Sequence, residues 1–369
     1  MLKKLFGKKR REPKSFEEVK EDLLESIREE SLNRKINSNM ELLTDYFTEE
    51  KETEILDLQK DIYAMATSLP LAQSFAAMTA TASLCDYGYY TDSLVDQIVE
   101  DYQQLLEKAK PFFDILHQKV KEGEEGELEE DLDVDSLYQQ LINDQELISQ
   151  ELSEAVRKFE FTSKNMISIL SINPSITLRN KSKLKDQIHS VKIYATSTYW
   201  IDRLFEVLYD EPIVVIDVDN NRGFEGKMSG VSDNFQLQLL LMSMQEINEN
   251  PSFGGPELSV LNGTGVQMTN SIVEGKWNMY NLDIINQDGW EEIKIGPDKT
   301  YDLQDLWIWG EGTPKEISVH NGRRAILLGR TPVKRSTRLQ RTFKNVKASI
   351  EVEKVLSPDE INQWLGLDK

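Results

Sequence analysis

At Glu211–Pro212 the spacing of apolar residues changes, and that change divides what the chain can fold into. Before it, apolar side chains recur at three- and four-residue steps, which place them on one face of an α-helix. Phe16, Val19, Leu23, Leu24 and Ile27 form the first such face, and the pattern returns over Ile55–Met65 and Leu94–Leu106. After it, β-branched and aromatic residues alternate with polar ones between glycine-bearing turns, the period-two grammar of half-buried strands. The expectation is an α+β protein. A helical N-terminal half with a long antiparallel helical hairpin precedes a mixed, mainly antiparallel α+β domain.

Five segments follow from this reading. Residues 1–15 form a flexible basic tail, with seven Lys and Arg and only Leu2, Leu5 and Phe6 as apolar anchors. Three such residues make a poor membrane anchor. A helical domain spans 16–120, interrupted at CDYGYYTD (85–92), where Gly88 breaks the helix and Thr91 or Asp92 caps the next. Its tyrosines are read as packing at a helix corner. Residues 121–133 carry eight carboxylates against one lysine and read as an acidic linker. The hairpin occupies 134–210. Val134, Tyr138, Leu141, Gln145, Ile148, Leu152, Ala155 and Phe159 line one arm, and Leu184 to Leu208 the other, on either side of SINPSIT (171–177).

The fifth segment, 211–369, opens with PIVVIDVD (212–219), a turn at NNRG (220–223) and a return strand FEGKMSGV (224–231). Ser232 or Asp233 caps a helix expected over 234–247. Strands are expected in WNMYNLDII (277–285), LWIWG (306–310) and RRAILLG (323–329). Ser357, Pro358 and Glu360 mark the start of a final helix.

A net charge of −21 repels phosphate-rich surfaces and favours basic or amphipathic protein partners. The single cysteine, Cys85, has no partner for an internal disulfide and is read as a core residue. With no apolar run after the basic N-terminus to serve as a signal or transmembrane segment, cytoplasmic residence is expected.

No cofactor, metal or catalytic set is read from the motifs. Asp217-x-Asp219 has the carboxylate spacing of a phosphoryl-transfer site, but the turn and return strand after it point to a hairpin role. A calcium loop counted from Asp217 has Arg222 and Met228 where glycine and glutamate are needed. His117, His189 and His320 stand alone, without metal-ligand spacing. Ser232 lacks the second glycine of a nucleophile elbow, and NGTGV (262–266) reads as a turn. The most unusual local feature is basic. From Ile317 to Ile350 there is no acidic residue, while nine Lys and Arg accumulate between Arg323 and Lys347. That run is read first as an internal or intersubunit counter-surface for the chain's acids. Trp277, Trp290, Trp307 and Trp309 cluster nearby, and such residues fill a core or line a recognition face.

SGVSDNFQL (229–237), the tryptophan-rich strands, WIWGEG, GRRAILLG and the LSPDEINQWL ending resemble uncharacterised bacterial proteins. The acidic balance is similar to that of immunity proteins, which neutralise bacterial toxins by occluding them. The expectation is therefore a bacterial protein-binding module that engages a protein partner through acidic helices or an aromatic α+β face. Its contact residues are expected at Trp277, Trp290, Trp307, Trp309, Arg323, Arg324, Arg335 and Arg338. A homo-oligomer is a further arrangement to test. The alternatives are an enzyme acting on phosphate-bearing substrates through Asp217 and Asp219, and a nucleic-acid adaptor using residues 323–347.

Overall fold

The computed structural model describes residues 14–29, 33–125, 133–144, 146–265, 268–286, 307–329 and 335–367. The chain packs as two compact units, Met1–Ile169 with Ile193–Ser197, and Leu170–Lys192 with Thr198–Lys369.

Among the described residues, the first unit is helical: α1 (Phe16–Arg28), α2 (Asn33–Leu43), α3 (Glu52–Ser68), α4 (Leu71–Asp86), α5 (Asp92–Glu125), α6 (Val134–Asn143) and most of α7 (Gln150–Leu170). Local chemistry sets the ends. Ser15 and Glu18 form a reciprocal capping box at the start of α1, whose buried face is the predicted Phe16, Val19, Leu23, Leu24 and Ile27. Gly88 ends α4 with a φ of 91°, a conformation that favours glycine, and the Tyr89 amide returns to the Leu84 carbonyl at 3.0 Å. Thr91 then accepts the Leu94 amide at 3.3 Å. Tyr87 and Tyr89 pack on Phe47, with ring centres 5.0 and 4.7 Å away.

Two expected segments differ in detail. α5 carries on into the acidic run as far as Glu125, and residues 126–132 lie outside the described residues. The first hairpin arm is two helices, because the Asp144 carboxylate accepts the amides of Glu146 (2.9 Å) and Leu147 (3.3 Å) and so closes a turn. Gln145 lies outside the described residues.

The second unit holds α8 (Pro174–Val191), α9 (Tyr199–Phe205), α10 (Asn234–Met242), α11 (Gly255–Asn262) and α12 (Pro358–Trp364). Asn173 caps α8 with Pro174 in its first turn, at the break expected in SINPSIT. The second arm is also interrupted, by a 3₁₀ turn at Thr196–Thr198 before α9.

The strands are β1 (Glu211–Asp217), β2 (Arg222–Ser229), β3 (Met268–Glu274), β4 (Asn278–Asn281), β5 (Val319–His320), β6 (Arg323–Gly329), β7 (Ser336–Gln340) and β8 (Ser349–Val355). The main sheet runs β4-β6-β1-β2-β8 with β5 beside β6, and β3 pairs with β7 separately. The β1–β6 pair is parallel and the other strand pairs are antiparallel, so the unit is a mixed, mainly antiparallel α+β structure. Both sheet faces are covered, which explains the continuous apolar run in β1. Ile213 and Val215 pack with Phe224 and the Leu237–Leu240–Leu241 face of α10, while Val214 and Ile216 pack with Leu327 and with Ile361 of α12. Full burial of each such side chain contributes on the order of 1.5–3 kcal/mol. Gly226 marks a bulge where a Cβ would fall 2.1 Å from the Glu351 carbonyl oxygen.

The predicted hairpin and the Ser357 capping box are both present. α10, capped by Asp233, stops at Met242 rather than residue 247. The Asn248 side chain and the Ser252 amide take the Met242 carbonyl, at 2.8 and 2.9 Å, and divert the chain. α11 was not expected from the sequence.

Candidate binding surface

After a β-bridge from Trp307 to Tyr280, and a bond from the Ile308 amide to the Met279 carbonyl (2.9 Å), the chain leaves the sheet edge. The loop that follows is pinned to the start of α10. The amides of Asn234 and Phe235 donate to the carbonyls of Gly312 (3.1 Å) and Gly310 (3.0 Å), and Asn234 Nδ2 donates to the Trp309 carbonyl (2.8 Å). These donors belong to the helix's first turn, where amides lack intrahelical acceptors. Gly310 lies flat against Phe235, and a Cβ there would come within 2.3 Å of the ring. Asp233 accepts the Gln236 amide (2.8 Å) and the Thr342 hydroxyl (2.6 Å). Burial raises its carboxyl pKa, and the Thr342 bond opposes that rise.

This anchoring holds Trp309 partly out of the surface, at 43% exposure against 9% for Trp307 and 6% for Trp277. The Arg335 guanidinium sits 4.4 Å from the Trp309 ring centre and 5.4 Å from that of Trp307. Such a contact contributes roughly 0.5–2 kcal/mol and holds the cation in place. The Arg335 carbonyl accepts the Gly275 amide at 2.9 Å, which ties the start of β7 to the end of β3. Exposed Arg338 follows on β7. Trp277 is a core residue with the Lys276 ammonium 4.9 Å from its ring centre.

Two of the remaining predicted site residues, Arg323 and Arg324, lie elsewhere in the main sheet. Trp290 is outside the described residues. Arg323 pairs with Glu225 and Glu353, each at 3.4 Å. Arg324 pairs with Glu211 at 2.7 Å and donates to the carbonyls of Lys315 and Ile317. Both are counter-charges within their own sheet. Arg324 stands opposite Ile213, whereas Gly329 at the other end of β6 stands opposite Asn278, next to Trp277. Five residues of strand, roughly 16 Å, separate those levels. Arg341 is buried and donates to the carbonyls of Val260, Gly265 and Lys344.

Asp217 is not brought to the arginines. It stands opposite Leu328, near the far end of β6 from Arg323, and its side chain is fully buried. Its carboxylate accepts the amides of Asp219 and Asn220, each at 3.1 Å, and Asn220 Nδ2 at 2.8 Å. All three bonds close its own turn. His117 contacts the Tyr194 hydroxyl at 2.6 Å, His189 lies 3.8 Å from Asp202 and His320 3.2 Å from Asp283. Among the described residues, no three His, Cys, Asp or Glu side chains are arranged to hold a metal ion.

Two further exposed aromatics carry no local motif in the sequence. Tyr199 and Trp200 of α9 are 47% and 45% exposed, with ring centres 5.0 Å apart. One turn on, Arg203 donates to the Glu311 carbonyl at 2.8 Å, tying α9 to the loop that carries Trp309. Assigning Thr198, Ile201 and Phe205 to the buried stripe leaves both aromatics on the outer face, which is the signal that could have found them.

No family model, curated protein or solved structure matches the chain. Among the described residues, no helix is long and apolar enough to cross a membrane.

Proposed function

We propose that the chain is a non-catalytic, cytoplasmic bacterial protein-binding module of the occluding, immunity-like kind, and that Trp309 and Arg335 anchor its partner. The observation that carries this reading is a half-exposed tryptophan on a pinned loop, stacked under an arginine. Trp and Arg dominate the energetics of protein interfaces, each residue of that kind contributing about 2 kcal/mol or more at a hot spot. A side chain already held in place loses little further freedom on binding, so more of its contact energy appears as affinity. The net charge of −21 would speed encounter with a basic partner, while Arg335 and Arg338 would meet a carboxylate on that partner's contact face. Chemistry on phosphate-bearing substrates has less support, because Asp217 is committed to its turn and Arg323 to Glu225 and Glu353.

Affinity capture from lysate of the native host, with nuclease added, tests the proposal. The tagged full chain should retain a protein in stoichiometric amount, and the Trp309→Ala variant should lose it. Identical capture by both chains, or capture only of nuclease-sensitive nucleic acid, would overturn it.

A further inference from the structure

We infer that the helical unit carries a second binding site, sharing no residue with the first, for a small organic anion: one carboxylate or phosphate monoester on an apolar body. A cavity of about 610 Å³ opens between the end of α3, the start of α4, one face of α5 and the first half of α7. That volume lies within the range of about 300–1,000 Å³ usual for small-molecule pockets.

Its charged groups point to the ligand. Lys158 of α7 is only partly exposed, and among the described residues it has no hydrogen-bond or ion-pair partner. Lys108 of α5 lines the same cavity, and the two cations raise the local potential together. Asp101 also lines it, and its carboxylate accepts the Tyr63 hydroxyl at 2.6 Å. Burial lowers the pKa of Lys158, with Asp101 opposing and Lys108 adding to the fall. An ammonium in that setting gains more from an arriving oxyanion than one in water would. Leu69, Leu71, Ile98, Leu105 and Ala155 supply an apolar lining for the ligand's body.

The floor is rigid. Tyr102 stacks on Phe159 with ring centres 5.5 Å apart, and its hydroxyl meets Ser163 at 2.8 Å. Glu151 and Glu154 line the cavity as exposed carboxylates, and they would repel a polyanion more strongly than a single charge.

Titration calorimetry of the full chain tests the site, with octanoate, phenylacetate, phenyl phosphate and ATP as probes. At least one of the first three should bind one-to-one, with ATP weaker than all that bind. A carboxylate binding tighter than phenyl phosphate would assign the acid, and the reverse order would assign the phosphate monoester. Lys158→Met should weaken binding about tenfold or more, as expected for loss of a charge-assisted hydrogen bond. Ala155→Phe should abolish it by filling the cavity, and thermal unfolding of each variant establishes that it is folded. No heat from any of the first three probes, equal affinity in folded Lys158→Met, or tightest binding of ATP would overturn the inference.

Discussion

Replacing Asp217 with alanine distinguishes a carboxylate that builds a turn from one that performs chemistry. The side chain accepts two amides and one side-chain NH₂ in a fully buried site, so the substitution removes three acceptor contacts at once. Bonds to a charged acceptor contribute about 1.5–3 kcal/mol each, but contacts within one turn do not add. A loss of about 3 kcal/mol is expected, against about 1 kcal/mol for Asp217→Asn, which keeps an acceptor oxygen for the two amides. For a unit of this size, 3 kcal/mol lowers the midpoint by about 6–12 °C. The assay is selective, because all six tryptophans belong to the second unit, and their fluorescence follows its melting alone. If Asp217→Ala melted within about 1 °C of the natural chain, with slopes unchanged, the carboxylate would not be holding the turn and this reasoning would fail.

Gly310→Ala, which forces a Cβ against the Phe235 ring, should lower the second unit's stability by about 1–3 kcal/mol and shift tryptophan emission to the red; unchanged emission and midpoint would contradict the pinned loop. Burial pushes the Cys85 thiol pKa up to about 12, so at pH 8 only about one molecule in 10⁴ carries a thiolate, and iodoacetamide should label it only as the helical unit opens. Labelling of the folded chain at the rate of a free thiol would refute that placement. The carboxyl pKa of partly exposed Glu360 is held down to about 2 by Lys354 and then by Ser357. Its folded pKa is the lower one, so its contribution is present above the ordinary carboxylate range and disappears as pH falls from about 4.5 to about 2. Amide protection factors of α12 should drop across that window and lose the dependence in Glu360→Gln; the same drop in both chains would sink the assignment.

Local signals were the legible ones. The Ser357 box, the Gly88 break, the break at SINPSIT and the β1–β2 hairpin each depend on residues within a few positions of one another, and each stands where its chemistry placed it. The two long apolar stripes were harder to read, since periodicity runs smoothly through Asp144 while that side chain turns the backbone aside. Pairings across sequence were not readable: the parallel register of β1 on β6, or the use of Arg323 and Arg324 against Glu225, Glu353 and Glu211, is set by the folded sheet. Trp307 and Trp309 look equivalent in LWIWG, yet the chain leaves the sheet edge between them and only Trp309 is substantially exposed. No local motif marks Lys108 or Lys158; α3, α4, α5 and α7 bring the two to one cavity only in the folded unit.

On the proposed reading, Trp309, held by its loop and by Arg335, carries the partner's affinity. The most direct measurement is the equilibrium Kd of the captured partner for the natural chain and for Trp309→Ala, at fixed salt, with the variant's folding verified by its melting. A loss of about 2 kcal/mol or more, roughly thirtyfold in Kd, is the predicted result. An affinity unchanged within about twofold would contradict the claim and place the partner on another surface.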